Sequence, residues 1–165
     1  MNIKGKTFKY GDNINTDYII AGKYTKTLDY SSLAEHVLED LDEDFSKNVK
    51  AGDILTVGEN FGCGSSREQA PLAIKYSGVS AILAKSYARI FYRNSINIGL
   101  PALVLDTDQI QADDILEILF KDNIVLNHSR NIEIPFDPMP EIMLDILNER
   151  GLVNYLNKNR DFKVE

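Results

Sequence analysis

Residues 58–71 read GENFGCGSSREQAP, between an apolar run at 51–57 (AGDILTV) and a helix-like stretch at 68–76. The run reads as a strand following a turn at Gly52, so the segment is a strand–turn–helix junction. Gly62 and Gly64 allow the sharp bend and leave backbone N–H groups open. Pro71 leaves room for an irregular first helical turn. Ser65, Ser66 and Arg67 then fall at the helix N-terminus, where free N–H groups and the helix dipole favour an anion. The Arg67 guanidinium is a planar fork suited to a carboxylate or phosphate. The junction therefore reads as an anion site with hydroxyls beside it. The alternative is a plain tight turn with Arg67 capping the helix or pairing with Glu68.

Outward from this junction, short apolar runs at 79–84 (VSAILA) and 100–105 read as buried strands. Segments 115–119 and 124–127 alternate apolar and polar positions, and Asp122-Asn123 between them suits a hairpin. Helices are expected at 87–94 and from 32 to about 40, where Ser32-Leu33-Ala34-Glu35 fits a capping box. A C-terminal helical segment is expected over about 140–158, opened by Pro140, with Gly151 as a stop after Arg150. No repeat or linker interrupts the chain, so 1–165 reads as one α/β domain with a mixed element order.

The chain has 165 residues and a formal net charge of −7, which disfavours a general nucleic-acid role. No apolar run approaches the roughly 20 residues of a membrane helix. The opening MNIKGKTFKYGDN lacks the apolar core of a secretory signal, so a cytoplasmic location is expected. The lone Cys63 allows no internal disulfide and reads as a small packed side chain. His36 and His128 stand far apart without a cysteine cluster, so no metal site is expected. Arg89 and Arg93 share a helix face and read as structural pairing or subunit contact.

Familiar nucleotide and hydrolase motifs fail on spacing. The serine loop lacks the lysine of a P-loop, and Glu68 stands where a nucleophile elbow needs its second glycine. The acidic run from Asp40 opens like a calcium loop. Phe45 replaces the required glycine and Ala51 the bidentate glutamate.

The serine loop closely resembles that of the aconitase superfamily's swivelling domain, approximately Glu-Asn-x-Gly-x-Gly-Ser-Ser-Arg-Glu-His/Gln-Ala. Residues 11–21, GDNINTDYIIA, resemble the family's Asp-x-x-x-Thr-Asp-x-Ile element. Residues 84–103, AKSYARIFYRNSINIGLPAL, resemble its Lys-Ser-Phe-Ala-Arg-Ile-Phe-x-Arg-Asn stretch. The three segments occur in the family's order and cover much of the first two-thirds of the chain.

The resemblance implies a layered β/β/α swivelling domain with a mixed sheet. In fused family members it follows larger domains that hold an iron–sulfur cluster; standing alone, it resembles the small subunits of isopropylmalate dehydratases and some homoaconitases. It thus implies a hydro-lyase that dehydrates and rehydrates a small 2-hydroxy diacid, in leucine synthesis for the isopropylmalate members. A [4Fe–4S] cluster needs several thiolates, and Cys63 is the chain's one cysteine, so a large partner subunit is expected to carry the cluster. Ser65 matches the family's catalytic serine, which takes a proton as an alkoxide. Ser66 and Arg67 match residues that bind substrate oxygens, and Asp17 matches an active-site aspartate whose structural alternative is a cap. Lys26 falls in the loop that touches the variable substituent. An apolar residue there suits an isopropyl group and an arginine an extra carboxylate; lysine is neither. A small subunit of homoaconitase or of another 2-hydroxy diacid hydro-lyase, and a non-catalytic anion-binding module, remain the alternatives.

Overall fold

The computed structural model describes residues 1–27 and 29–160. Leu28 and residues 161–165 lie outside this range. One seven-stranded mixed sheet organises the chain, in the order β4-β3-β2-β1-β5-β6-β7. Its centre is β1 (Asn2–Lys9), which belongs to two half-sheets at once. Thr7–Lys9 pair in parallel with β2 (Ile54–Thr56), which continues to β3 (Ala81–Ala84) and β4 (Ala102–Val104). Asn2–Lys6 pair antiparallel with β5 (Ile115–Leu119), which continues to β6 (Ile124–Asn127) and β7 (Ile132–Pro135). An antiparallel bridge between Leu105 and Phe136, just past β4 and β7, shows that the sheet curls until its edges meet at one end.

The curl makes the β/β layers, and the period-two alternation of side chains fills them. Ile54, Ala81, Leu83 and Leu103 point inward against Leu116, Ile118, Val125 and Ile134. Their neighbours Leu55, Ile82 and Ala84 face outward and are buried under helices. Burial on both faces explains why the parallel strands read as unbroken apolar runs, whereas β5 shows the alternation of a half-exposed strand. The helical layer comprises α1 (Thr16–Ile19), α2 (Tyr30–Glu35), α3 (Phe45–Asn48), α4 (Gln69–Tyr76) and α5 (Arg89–Asn97). At the C-terminal end, α6 (Glu141–Asn148) and α7 (Leu152–Asn159) bury Ile146, Leu147 and Tyr155 against Ile96 and Ala102. No described helix is long and apolar enough to cross a membrane.

The expected strands and the 122–123 hairpin form, each strand trimmed at its ends where needed. Three expectations need correction. Ser32 does not open α2: Asp29 is the N-cap, its carboxylate accepting from the Ser31 N–H at 3.0 Å, and turns replace helix after Glu35. The earlier cap seats Leu33 in the core. Gly151 stops the helix opened by Pro140, as expected, but the segment over 140–158 is two helices, because Gly151 at φ 130° also serves as the N-cap of α7. The 87–94 helix begins two residues later, since Tyr87 is drawn into a strand-like bridge with Phe61.

An ion cluster around the buried Asp114 carboxylate braces the antiparallel half-sheet. The Asp114 carboxylate accepts from the Gln111 N–H at 2.8 Å, the Asn127 amide at 2.7 Å and Arg130 Nε at 2.8 Å. Burial alone would raise its pKa, but these three donors outweigh it and hold the pKa below the ordinary carboxylate range. The cluster's contribution is therefore present above the unfolded-state pKa of about 3.9 and is lost as pH falls through the lower folded value. Asp114→Asn is expected to cost about 2 kcal/mol at neutral pH and to flatten the acid limb of the stability curve. Urea melts at pH 7 and pH 3 check both; an unchanged acid limb would show that Asp114 does not drive the acid response.

Candidate active site

The three segments that carry the family resemblance leave the C-terminal ends of neighbouring parallel strands. Residues 11–21 follow β1, 58–68 follow β2, and 85–88 follow β3. That end of an open α/β sheet is where ligand crevices form. Parallel bridges at Asn15–Cys63 and Phe61–Tyr87 prolong the strand pairing into the loops. The Asp12 carboxylate accepts from the Glu59 N–H at 2.7 Å, and the Asn60 N–H donates to Ser86 Oγ at 2.8 Å. The Thr16 hydroxyl donates to the Ser65 carbonyl at 2.8 Å, and the Gly62 N–H to the Ile14 carbonyl at 2.9 Å. The serine loop is thus clamped on both sides.

Gly62 and Gly64 have φ of 76° and 91°, which side chains rarely adopt. Gly62 is also packed so tightly that a Cβ would lie 2.2 Å from the Phe91 ring. The loop and the start of α5 enclose a cavity of about 290 Å³, lined by Thr16, Gly62, Gly64, Ser65, Ser66, Arg67 and residues 88–91. Among the described residues, Arg67 and Arg89 are its only charged lining residues, and no lining residue carries a carboxylate. The Ser65 and Ser66 hydroxyls make no hydrogen bond among the described residues, and both residues are exposed.

Asp17 does not cap α1. Asn15 does, its side-chain oxygen accepting from the Asp17 and Tyr18 N–H groups at 2.9 and 3.1 Å. The Asp17 carboxylate instead lies 2.6 Å from Arg67 Nη1, which also donates to the Ile20 carbonyl at 3.0 Å. Arg67 is therefore held from one side, with guanidinium N–H groups left for a ligand, and does not pair with Glu68. The helix N-terminus beside the cavity differs from the expected one. The serines precede the α4 N-cap, Glu68, by two or three residues, whereas the uncapped first turn of α5 lines the cavity directly.

Lys26 lies outside the cavity lining, exposed in a turn after the 3-10 helix Gly22–Tyr24. That turn is fastened to α4 by the Gln69 amide, which donates to the Thr25 carbonyl at 3.3 Å. Ser65, Ser66, Arg67 and Asp17 are thus brought together, and Lys26 stands apart from them. Arg89, expected as a structural or subunit contact, is a lining residue the sequence reading did not assign to the site. The histidines are structural: His36 stacks on Tyr24 at 3.7 Å and pairs with Glu39, and His128 pairs with Glu117. Cys63 is half-buried, its carbonyl accepting from the Thr16 N–H at 2.9 Å.

Residues 5–108 match the aconitase C-terminal domain family, a span that includes every residue lining the cavity. The chain belongs to that family. Among aconitase-family relatives, a 3-isopropylmalate dehydratase small subunit 2 of Archaeoglobus fulgidus is 51% identical over 165 residues, covering 99% of this chain and 100% of that one. A methanogen homoaconitase small subunit of Methanocaldococcus jannaschii is 50% identical over 161 residues, covering 97% and 94%. A crystal structure of a 3-isopropylmalate dehydratase from Methanocaldococcus jannaschii has a TM-score of 0.94 at 48% identity, covering 97% of this chain and 96% of that one. The curled mixed sheet is therefore this family's fold.

Proposed function

We propose that this chain is the small subunit of a 3-isopropylmalate dehydratase, a hydro-lyase that interconverts 2-isopropylmalate and 3-isopropylmalate in leucine biosynthesis. It acts as one unit in the cytoplasm, turns over substrate only with a larger subunit, and binds neither nucleic acid nor membrane. The observation that carries this reading is a cavity whose described lining holds no carboxylate, with a Ser65 hydroxyl that has no partner among the described residues beside an Arg67 steadied by Asp17. Dehydration adjacent to a carboxylate needs a base for the carbon-bound proton and fixed cations for the carboxylates.

Ser65 Oγ, as the alkoxide, removes that proton and becomes a hydroxyl. The C–H electron pair forms the C=C bond and the neighbouring C–OH bond breaks, its hydroxide leaving toward the large subunit, where the cluster would supply the Lewis acid. Arg67 and Ser66 bind carboxylate oxygens, and Asp17 fixes the guanidinium so that little reorganisation is left for the reaction. A serine anion in water is far too costly. The open side of the cavity must therefore be covered by the partner, since excluding water strengthens the guanidinium field around the oxygen. Lys26, exposed on the adjacent turn outside the cavity lining, is assigned to the part of the substrate that extends beyond the cavity, the substituent that distinguishes one diacid from another. This chain's donors do not fit a [4Fe–4S] cluster: Cys63 is its one thiol, and no described group of three His, Cys, Asp or Glu side chains converges. The cluster is assigned to the large subunit, and no step on this chain passes through it.

The test is an anaerobic assay of the purified chain with and without a cluster-loaded large subunit, on 3-isopropylmalate and on homoaconitate. Turnover is expected only with both chains, with kcat/KM for 3-isopropylmalate at least about tenfold higher. Turnover by the small chain alone, or none from a complex with an intact cluster, would overturn the reading. Preference for homoaconitate would keep the chemistry and give Lys26 the extra carboxylate, in line with the 50% identical homoaconitase relative.

A further inference from the structure

We propose that Arg89 is a second carboxylate-binding residue of the cavity, holding the end of the diacid that Arg67 does not. The inference rests on the hydro-lyase reading of the same site. Arg67 and Arg89 are the charged lining residues, and they come from different walls, the serine loop and the first turn of α5. Arg67 already spends one nitrogen on Asp17 and the Ile20 carbonyl. Arg89 is exposed and has no ion pair or hydrogen bond among the described residues, in a chain with 25 acidic and 18 basic side chains.

Its place in the helix makes the absence of a partner more telling. A cation in the first turn opposes the helix dipole. Elsewhere the chain follows the favourable rule, with Lys47, Lys75 and Lys158 in the last turns of α3, α4 and α7. Another cavity, lined by the cations Lys75 and Arg150, shows a contrast: Lys75 lies in the last turn of α4 and donates to the Ile98 carbonyl, and Arg150 follows the C-cap of α6, where the helix dipole favours a cation. Nothing among the described residues accounts for Arg89. An anion in the cavity would reverse the cost, meeting the guanidinium and the uncapped start of α5 together.

The mounting is rigid enough to orient a substrate. The Ala88 N–H donates to the Phe61 carbonyl at 2.9 Å, and the Phe61 and Phe91 rings meet edge-to-face at 5.0 Å. Gly62 is pressed against Phe91. The two arginines are therefore carried on one braced unit.

The experiment uses the two-chain enzyme with Arg89→Met, Arg89→Lys and, as a control for loss of one positive charge, Arg93→Met. Arg93 is exposed one turn further along α5 and does not line the cavity. Affinity for the large subunit is measured for each, and kcat and KM are taken with that subunit saturating. Arg89→Met should raise KM about 10- to 100-fold, the loss of a charged hydrogen bond, with a smaller change in kcat. Arg89→Lys should recover part of the loss, and Arg93→Met should leave KM within about twofold. A KM for Arg89→Met within about twofold of wild type, or an equal rise for Arg93→Met, overturns the proposal. So does a defect explained wholly by weaker subunit binding. Absence of turnover in the wild-type complex would instead sink the hydro-lyase reading itself, so the two failures are distinct.

Discussion

Ser65→Ala in the two-chain enzyme is expected to lower kcat by about 10³-fold while leaving the fold and the subunit affinity intact. The large catalytic effect follows from the cavity's contents: no described lining residue carries a carboxylate or imidazole that could take over as base. The small structural effect follows from the hydrogen bonds. The loop is held through the Ser65 carbonyl, which accepts from Thr16, and alanine keeps that carbonyl. The Ser65 hydroxyl has no partner among the described residues, so stability should stay within about 0.5 kcal/mol. KM should change much less than kcat, because the arginines that bind carboxylates remain. Steady-state kinetics with a parallel thermal melt decide the matter. Turnover within about tenfold of wild type would remove Ser65 from the base role and leave the cavity as a binding site only.

Gly62→Ala is expected to be the most damaging single methyl addition near the site. It places a side chain at φ 76° and puts its Cβ 2.2 Å from the buried Phe91 ring. Left-handed backbone costs a non-glycine residue about 1–2 kcal/mol, and overpacking a braced contact about 1–3. Together these suggest a loss of about 3 kcal/mol and a Tm lower by about 6–12 °C. Because the bulge strikes the contact that joins the serine loop to α5, activity should fall even at temperatures where the variant stays folded. Adding Phe91→Ala opens space at the clash, so the double variant should lose less than the sum of the two single changes. An unaltered Tm for Gly62→Ala would mean that the loop relaxes freely and is not the rigid platform described above.

The core strands and the serine loop were legible because their signals are local. Strands buried on both faces must be apolar at every position, and a bend at left-handed φ asks for glycine. β1 and β7 gave weaker signals. Lys4, Gly5 and Lys6 interrupt β1, and β7 is a short edge strand ending at Pro135. Such segments become strands because neighbours pair with them. The α2 start was misread for a related reason: two capping patterns overlap at Asp29 and Ser32, and seating Leu33 in the core favours the earlier one.

By itself, the sequence determined that residues 58–71 bend at Gly62 and Gly64 and present hydroxyls beside a guanidinium, and that one cysteine cannot ligate a cluster. Those are properties of neighbouring residues and of composition. Only the tertiary structure decided that Asp17 pairs with Arg67 instead of capping its helix, that Arg89 joins the same cavity, and that Lys26 stands outside it. Asp17 and Arg67 are far apart along the chain, and Arg89 enters from a third segment. Their meeting depends on parallel pairing of β1, β2 and β3, which brings the three loops to one end of the sheet. Register is set by packing across the whole sheet, and no local pattern contains it.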